Sequence, residues 1–73
     1  MDLNNVFGYI SYQDLLRSIK LRIWSSGKTQ KYVAESLGLD PGNFSKILTG
    51  VIDPSARTML KIVDFVNKLS VEL

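Results

Sequence analysis

The 73-residue chain has neither cysteine nor histidine. Without cysteine no disulfide can reinforce a core that a chain this short can only build modestly, so the packing of secondary structure must carry stability. Without either residue the usual zinc ligands and the commonest general base are missing. The carboxylates (Asp2, Asp14, Glu35, Asp40, Asp53, Asp64 and Glu72) are scattered singly rather than paired. No enzyme, metal site or cofactor is therefore expected. Runs of about 18 apolar residues, the signature of a membrane span, are absent as well. Asp2 stands where a signal peptide would be basic. The chain thus reads as soluble and cytoplasmic.

What is present is an uneven distribution of charge. Positions 1–16 hold Asp2 and Asp14 with no basic residue, whereas 17–50 hold Arg17, Lys20, Arg22, Lys28, Lys31 and Lys46 against Glu35 and Asp40. Beyond them, Arg57, Lys61 and Lys68 balance Asp53, Asp64 and Glu72. The net charge of +2 hides this central basic region. Such a concentration suits a polyanion, and a solvated surface would look similar, so charge alone does not decide.

Hydrophobic periodicity divides the chain into helices. Ser11 can cap a first helix over Tyr12 to Ser25 or Ser26, where Tyr12, Leu15, Leu16, Ile19 and Ile23 recur at helical spacing and Gly27 comes next. Thr29 can cap a short second helix, about 30–37, with Val33, Ala34 and Leu37 in one stripe and Gly38 at its C-terminal end. Asp40 followed by Pro41 is the clearest helix start. The carboxylate accepts orphan N–H groups, and proline at the first position forfeits no hydrogen bond. This third helix, about 41–49, has Phe44, Ile47 and Leu48 on one face at about 100° per residue, with Gly42, Lys46 and Thr49 opposite and Ser45 on the border. Gly50 ends it. Pro54 holds Asp53 extended, Ser55 can cap a fourth helix, and Met59, Ile62, Val63 and Val66 form its inner stripe. Asn67 could stop that helix, or it could continue toward Leu69, leaving open whether residues 68–73 form a fifth.

The stretch TQKYVAESLGLDPGNFSKILTG, residues 29–50, is two short helices joined by a glycine turn, the helix-turn-helix arrangement whose second helix enters the major groove of DNA. In detail it resembles the motif of the Cro/C1-type (XRE) repressor family. Thr29 and Gln30 open the first motif helix, Ala34 is the small residue at the helix crossing, and Gly38 is the turn. Leu39, Phe44 and Ile47 match buried positions. Gly50 matches the family's trailing glycine, and Pro54 with Ser55 matches the start of its next helix. The resemblance covers about 16–66. It implies an all-α, compact four- to five-helix lambda-repressor-like domain over residues 12–73, preceded by an N-terminal arm, 1–11. It further implies a regulator that binds an operator in double-stranded DNA, a repressor of phage or mobile-element type from a bacterium.

Carried over residue by residue, the resemblance assigns base contacts to Asn43, Ser45, Lys46 and Thr49, close backbone approach to Gly42, and phosphate contacts to Lys28, Thr29, Gln30, Lys31 and Arg57. The chain also departs from the family. Pro41 and Gly42 stand where many relatives carry residues that read base edges, so direct readout would be thin. Lys28 replaces a usually apolar residue, and Asn67 the usual glycine. Apolar residues are left over at Phe7, Leu21, Trp24 and Phe65, a surface for a homodimer, formed in solution or only on DNA, or for a partner regulator. That surface supports the alternative of a protein-interaction module, an antirepressor or modulator that binds a partner repressor. The arm (Leu3, Val6, Phe7, Tyr9 and Ile10) could instead cover its own first helix.

Overall fold

The computed structural model describes residues 11–71, which form four helices and no strand: α1 (Tyr12–Ser25), α2 (Gln30–Ser36), α3 (Pro41–Leu48) and α4 (Ala56–Val71). Each start has a local cause. Ser11 Oγ accepts the Asp14 N–H at 3.2 Å, and Asp14 sits in the first turn, where the helix dipole favours an anion. Ser55 Oγ does the same for α4, accepting the Thr58 N–H at 3.2 Å. The expected helix lengths shorten by a residue at Leu37 and Thr49, because both are C-caps rather than interior positions.

Four apolar stripes meet in one core. Leu15, Leu16, Ile19 and Ile23 come from α1, Val33 and Ala34 from α2, Phe44, Ile47 and Leu48 from α3, and Ile62, Val63, Val66 and Leu69 from α4. Helix α1 packs against α4 and α3, while α2 packs against α3. The motif pair is thereby held on a scaffold made by the two longer helices. No polar residue belongs to the buried core among the described residues, although the side-chain nitrogen of Asn67 is buried at its edge, so apolar burial and helical hydrogen bonds carry the fold.

Two readings of the sequence change, and one left open is decided. Helix α4 passes Asn67 without a break and ends at Val71, and Leu69, two turns beyond Ile62 and one beyond Val66, is buried with them. No separate fifth helix begins among the described residues. Phe65, expected to add to a free apolar surface, is half-buried and packs on the core, as Met59 does. It lies three residues after Ile62 and four before Leu69, at the edge of the inner stripe. Tyr12, read as the first member of the α1 stripe, is exposed. Partial burial pushes its phenol above the ordinary 10.0, and the nearby charge of Asp53 adds to the rise. Residues 1–10 of the arm, Phe7 among them, lie outside the described residues.

Candidate nucleic-acid interface

Helix α2 ends in a Schellman motif. The Gly38 N–H donates to the Glu35 carbonyl at 3.1 Å, and the Leu39 N–H donates to the Ala34 carbonyl at 2.8 Å. Gly38 takes φ +74, a left-handed conformation that a side chain disfavours. Asp40 is extended and its Oδ2 accepts the Asn43 N–H at 3.0 Å, with Pro41 entering α3 behind it. Together these contacts fix the angle at which α3 leaves α2. Ala34, wholly buried, is the small side chain of α2 in the shared core.

The exit of α3 is equally determined. The Lys46 carbonyl accepts the N–H of Val51 at 2.9 Å and of Ile52 at 3.2 Å, and the Gly50 N–H donates to the Ile47 carbonyl at 3.1 Å. The Thr49 hydroxyl donates to the same Lys46 carbonyl at 3.2 Å, which commits its proton and leaves its oxygen as an acceptor. Between these ends, Gly42, Asn43, Ser45, Lys46 and Thr49 are all exposed, opposite the buried Phe44, Ile47 and Leu48. The outer face of α3 is thus small and polar, carries one cation, and has no apolar side chain. Among the described residues, Lys46 forms no ion pair; the pairs that form are Arg17 with Asp14 and Lys68 with Asp64.

The start of α2 collects the second group. Thr29 Oγ1 accepts the Tyr32 N–H at 3.0 Å and so serves first as the helix cap. Gln30 and Lys31 come after it, both exposed. The Lys28 N–H donates to Ser26 Oγ at 3.2 Å, and Ser26 Oγ in turn donates to the Ile23 carbonyl at 2.6 Å, which ties this position to the end of α1. The Lys28 ammonium lies over the Tyr32 ring, 5.0 Å from its centroid. Sequence reading missed Tyr32, although the spacing of four between a lysine and an aromatic residue offered a signal. Arg57 is exposed in the first turn of α4 and makes no ion pair among the described residues; α4 packs mainly on α1 and shares the core with α2 and α3.

Among the described residues singled out for the apolar surface, Leu21 and Trp24 remain free. They are 56% and 80% exposed and one turn apart on the outer side of α1. Val51 and Leu60, not singled out, are also largely exposed.

No helix of the described residues is long and apolar enough to cross a membrane. Comparison with curated proteins gives no match, and comparison with solved structures gives none. A family model described as helix-turn-helix matches residues 19–73, the greater part of the chain, and takes in α2, the Gly38 turn and α3 whole. The chain belongs to the Cro/C1-type (XRE) helix-turn-helix family, a family of DNA-binding regulators.

Proposed function

We propose that the protein is a sequence-specific regulator that lays α3 in the major groove of an operator, acting as a cytoplasmic repressor of phage or mobile-element type in a bacterium. The single observation that carries the DNA-binding mode is the outer face of α3, where Asn43, Ser45, Lys46 and Thr49 are exposed and Lys46 is free of ion pairs among the described residues. Lys46 and Asn43 supply the side chains best suited to base edges, Ser45 and Thr49 the shorter ones, and Gly42 lets the backbone come close. Lys28, Thr29, Gln30, Lys31 and Arg57 act on phosphates, which position the protein without reading sequence. The repressor setting rests on the family resemblance.

With so few side chains for direct readout, DNA shape contributes to site choice, and a second half-site about one helical turn away would restrict the register. The reading therefore includes a two-fold dimer on DNA. The exposure of Trp24 and Leu21 favours a protein contact of some kind and also keeps a second reading in view, a module that binds a partner repressor.

Selection from random duplex DNA at moderate salt, followed by titration of the enriched site and sedimentation of the complex, tests both. Recovery of a palindrome bound by two chains is the expected result. Failure to enrich any site would favour the partner-binding module, and one chain per operator at saturation would eliminate the dimer.

A further inference from the structure

Lys28 occupies an unusual position for a cation. It comes directly after Gly27, just before the cap of α2, where the family resemblance leads one to expect an apolar residue, and among the described residues no carboxylate pairs with it. Its backbone is held by the Ser26 hydroxyl, so the residue is fixed at its root. Its ammonium is held at the other end by the face of Tyr32, 5.0 Å from the ring centroid, within the range in which a ring quadrupole attracts a cation. Tyr32 is itself placed firmly, because its N–H donates to the capping Thr29 hydroxyl. Tyr32 is 45% exposed, and an ammonium with its three donors can rest one side on a ring while offering the remainder to solvent or an anion. A free lysine side chain loses rotamer freedom when it takes hold of a phosphate; one already restrained loses less.

We propose that Tyr32 is a positioning residue for DNA-backbone binding: its ring holds the Lys28 ammonium over the first turn of α2, in place to take a phosphate. This inference rests on the DNA-binding reading above and adds to it a residue outside the expected contact set.

The test compares the full chain with its Tyr32→Phe, Tyr32→Leu, Lys28→Ala and Lys28→Ala/Tyr32→Leu variants on a duplex of unrelated sequence. Tyr32→Leu should weaken binding about two- to tenfold, the range expected for the side-chain ordering that an already restrained lysine avoids, while Tyr32→Phe stays near the parent. In the Lys28→Ala background, Tyr32→Leu should cost nothing more. Without DNA, the proton signals of the Lys28 methylene next to the ammonium should be shifted upfield by the ring in the parent and Tyr32→Phe, and lose that shift in Tyr32→Leu. Equal losses from Tyr32→Leu with and without Lys28, a Tyr32→Phe loss as large as that of Tyr32→Leu, or no ring shift in the parent would each overturn the role of Tyr32 while leaving DNA binding intact. A parent that binds no duplex would overturn the DNA-binding reading and this role together.

Discussion

The carboxylate of Asp40 accepts the N–H of Asn43 at 3.0 Å, so the acidic side chain immediately before α3 is also the group that starts it. Structure and binding pull on this residue in opposite directions. Removing the cap by Asp40→Ala should cost about 0.5–2 kcal/mol of stability. Asp40→Asn keeps an oxygen acceptor in the same place and removes the charge. Its stability should stay within about 0.5 kcal/mol of the parent, since the two residues cap about equally well. Affinity for every duplex should rise, because a negative charge beside phosphates is gone. Parallel melting and titration of both variants check this; lower affinity in Asp40→Asn would mean that the charge makes a favourable contact.

Lys46 and Lys31 are both exposed cations, but they occupy different helices of the motif. On the proposed docking, Lys46→Ala should weaken the selected operator by about 1–3 kcal/mol and relax site preference. Lys31→Ala should weaken all duplexes alike and lower the salt slope by about one. Titrations of both variants on matched and scrambled sites across a salt series distinguish the two. Equal losses on every sequence with identical salt slopes would remove Lys46 from the groove.

The legible parts of this fold are those written in local chemistry. The caps Ser11, Thr29, Asp40 and Ser55, and the glycines just past α1, α2 and α3, set the helix ends within a residue, and the inner stripes identified the core. What escaped depends on neighbours in space. Phe65 lies on the boundary of its helix stripe, where only the packing of α4 decides whether it is covered. Tyr12 fits the α1 period, yet at the first turn it projects beyond the core toward Asp53. The Lys28–Tyr32 contact joins a loop residue to a helix residue, and side-chain direction rather than periodicity creates it. At the candidate interface, the exposure of the α3 face was readable from helical geometry, while its partners in DNA are not encoded in any spacing.

The Tyr12 phenol titrates above its ordinary 10.0, first because it is partly buried and then because Asp53 is near. Folding therefore favours the protonated form. The associated stability is fully present below the unfolded value and is lost as pH rises through the folded one. Unfolding followed at increasing alkaline pH should show a smaller decline for Tyr12→Phe than for the parent. In Asp53→Asn the tyrosinate absorbance of this residue, taken as the difference from the same variant lacking Tyr12, should appear at lower pH. An unchanged titration would show that desolvation alone causes the shift.

Ala34 is wholly buried in the cluster that α2 shares with α3. Ala34→Leu adds three heavy atoms at a wholly buried position and should destabilise the domain by about 1–3 kcal/mol, with a parallel loss of DNA affinity as α3 is displaced. Thermal unfolding reads the first effect and operator titration the second. An unchanged melting temperature would mean that the α2–α3 crossing has room that its burial does not suggest.

Gly42 separates fold from function most cleanly. It lies in the first turn of α3, exposed, and an added Cβ would stand 3.1 Å from Oδ2 of Asp40, the oxygen that caps Asn43. Two effects on stability oppose each other. Alanine in a helix is favoured over glycine by roughly 0.5–1 kcal/mol, whereas the carboxylate must shift by a few tenths of an ångström to admit the methyl group. Gly42→Ala should accordingly melt within about 0.5 kcal/mol of the parent, the two terms being of similar size. Binding has no such compensation. If the α3 backbone approaches DNA at this point, a methyl group in the gap should cost about tenfold in affinity, in line with the penalty for overpacking a close contact. The loss should be similar on operator and unrelated duplex, because a backbone approach reads position rather than base identity. Titration of Gly42→Ala against both duplexes, beside its melting curve, gives the answer. Parent-like affinity with parent-like stability would place the first turn of α3 away from the DNA and shift the reading surface toward Lys46 and Thr49.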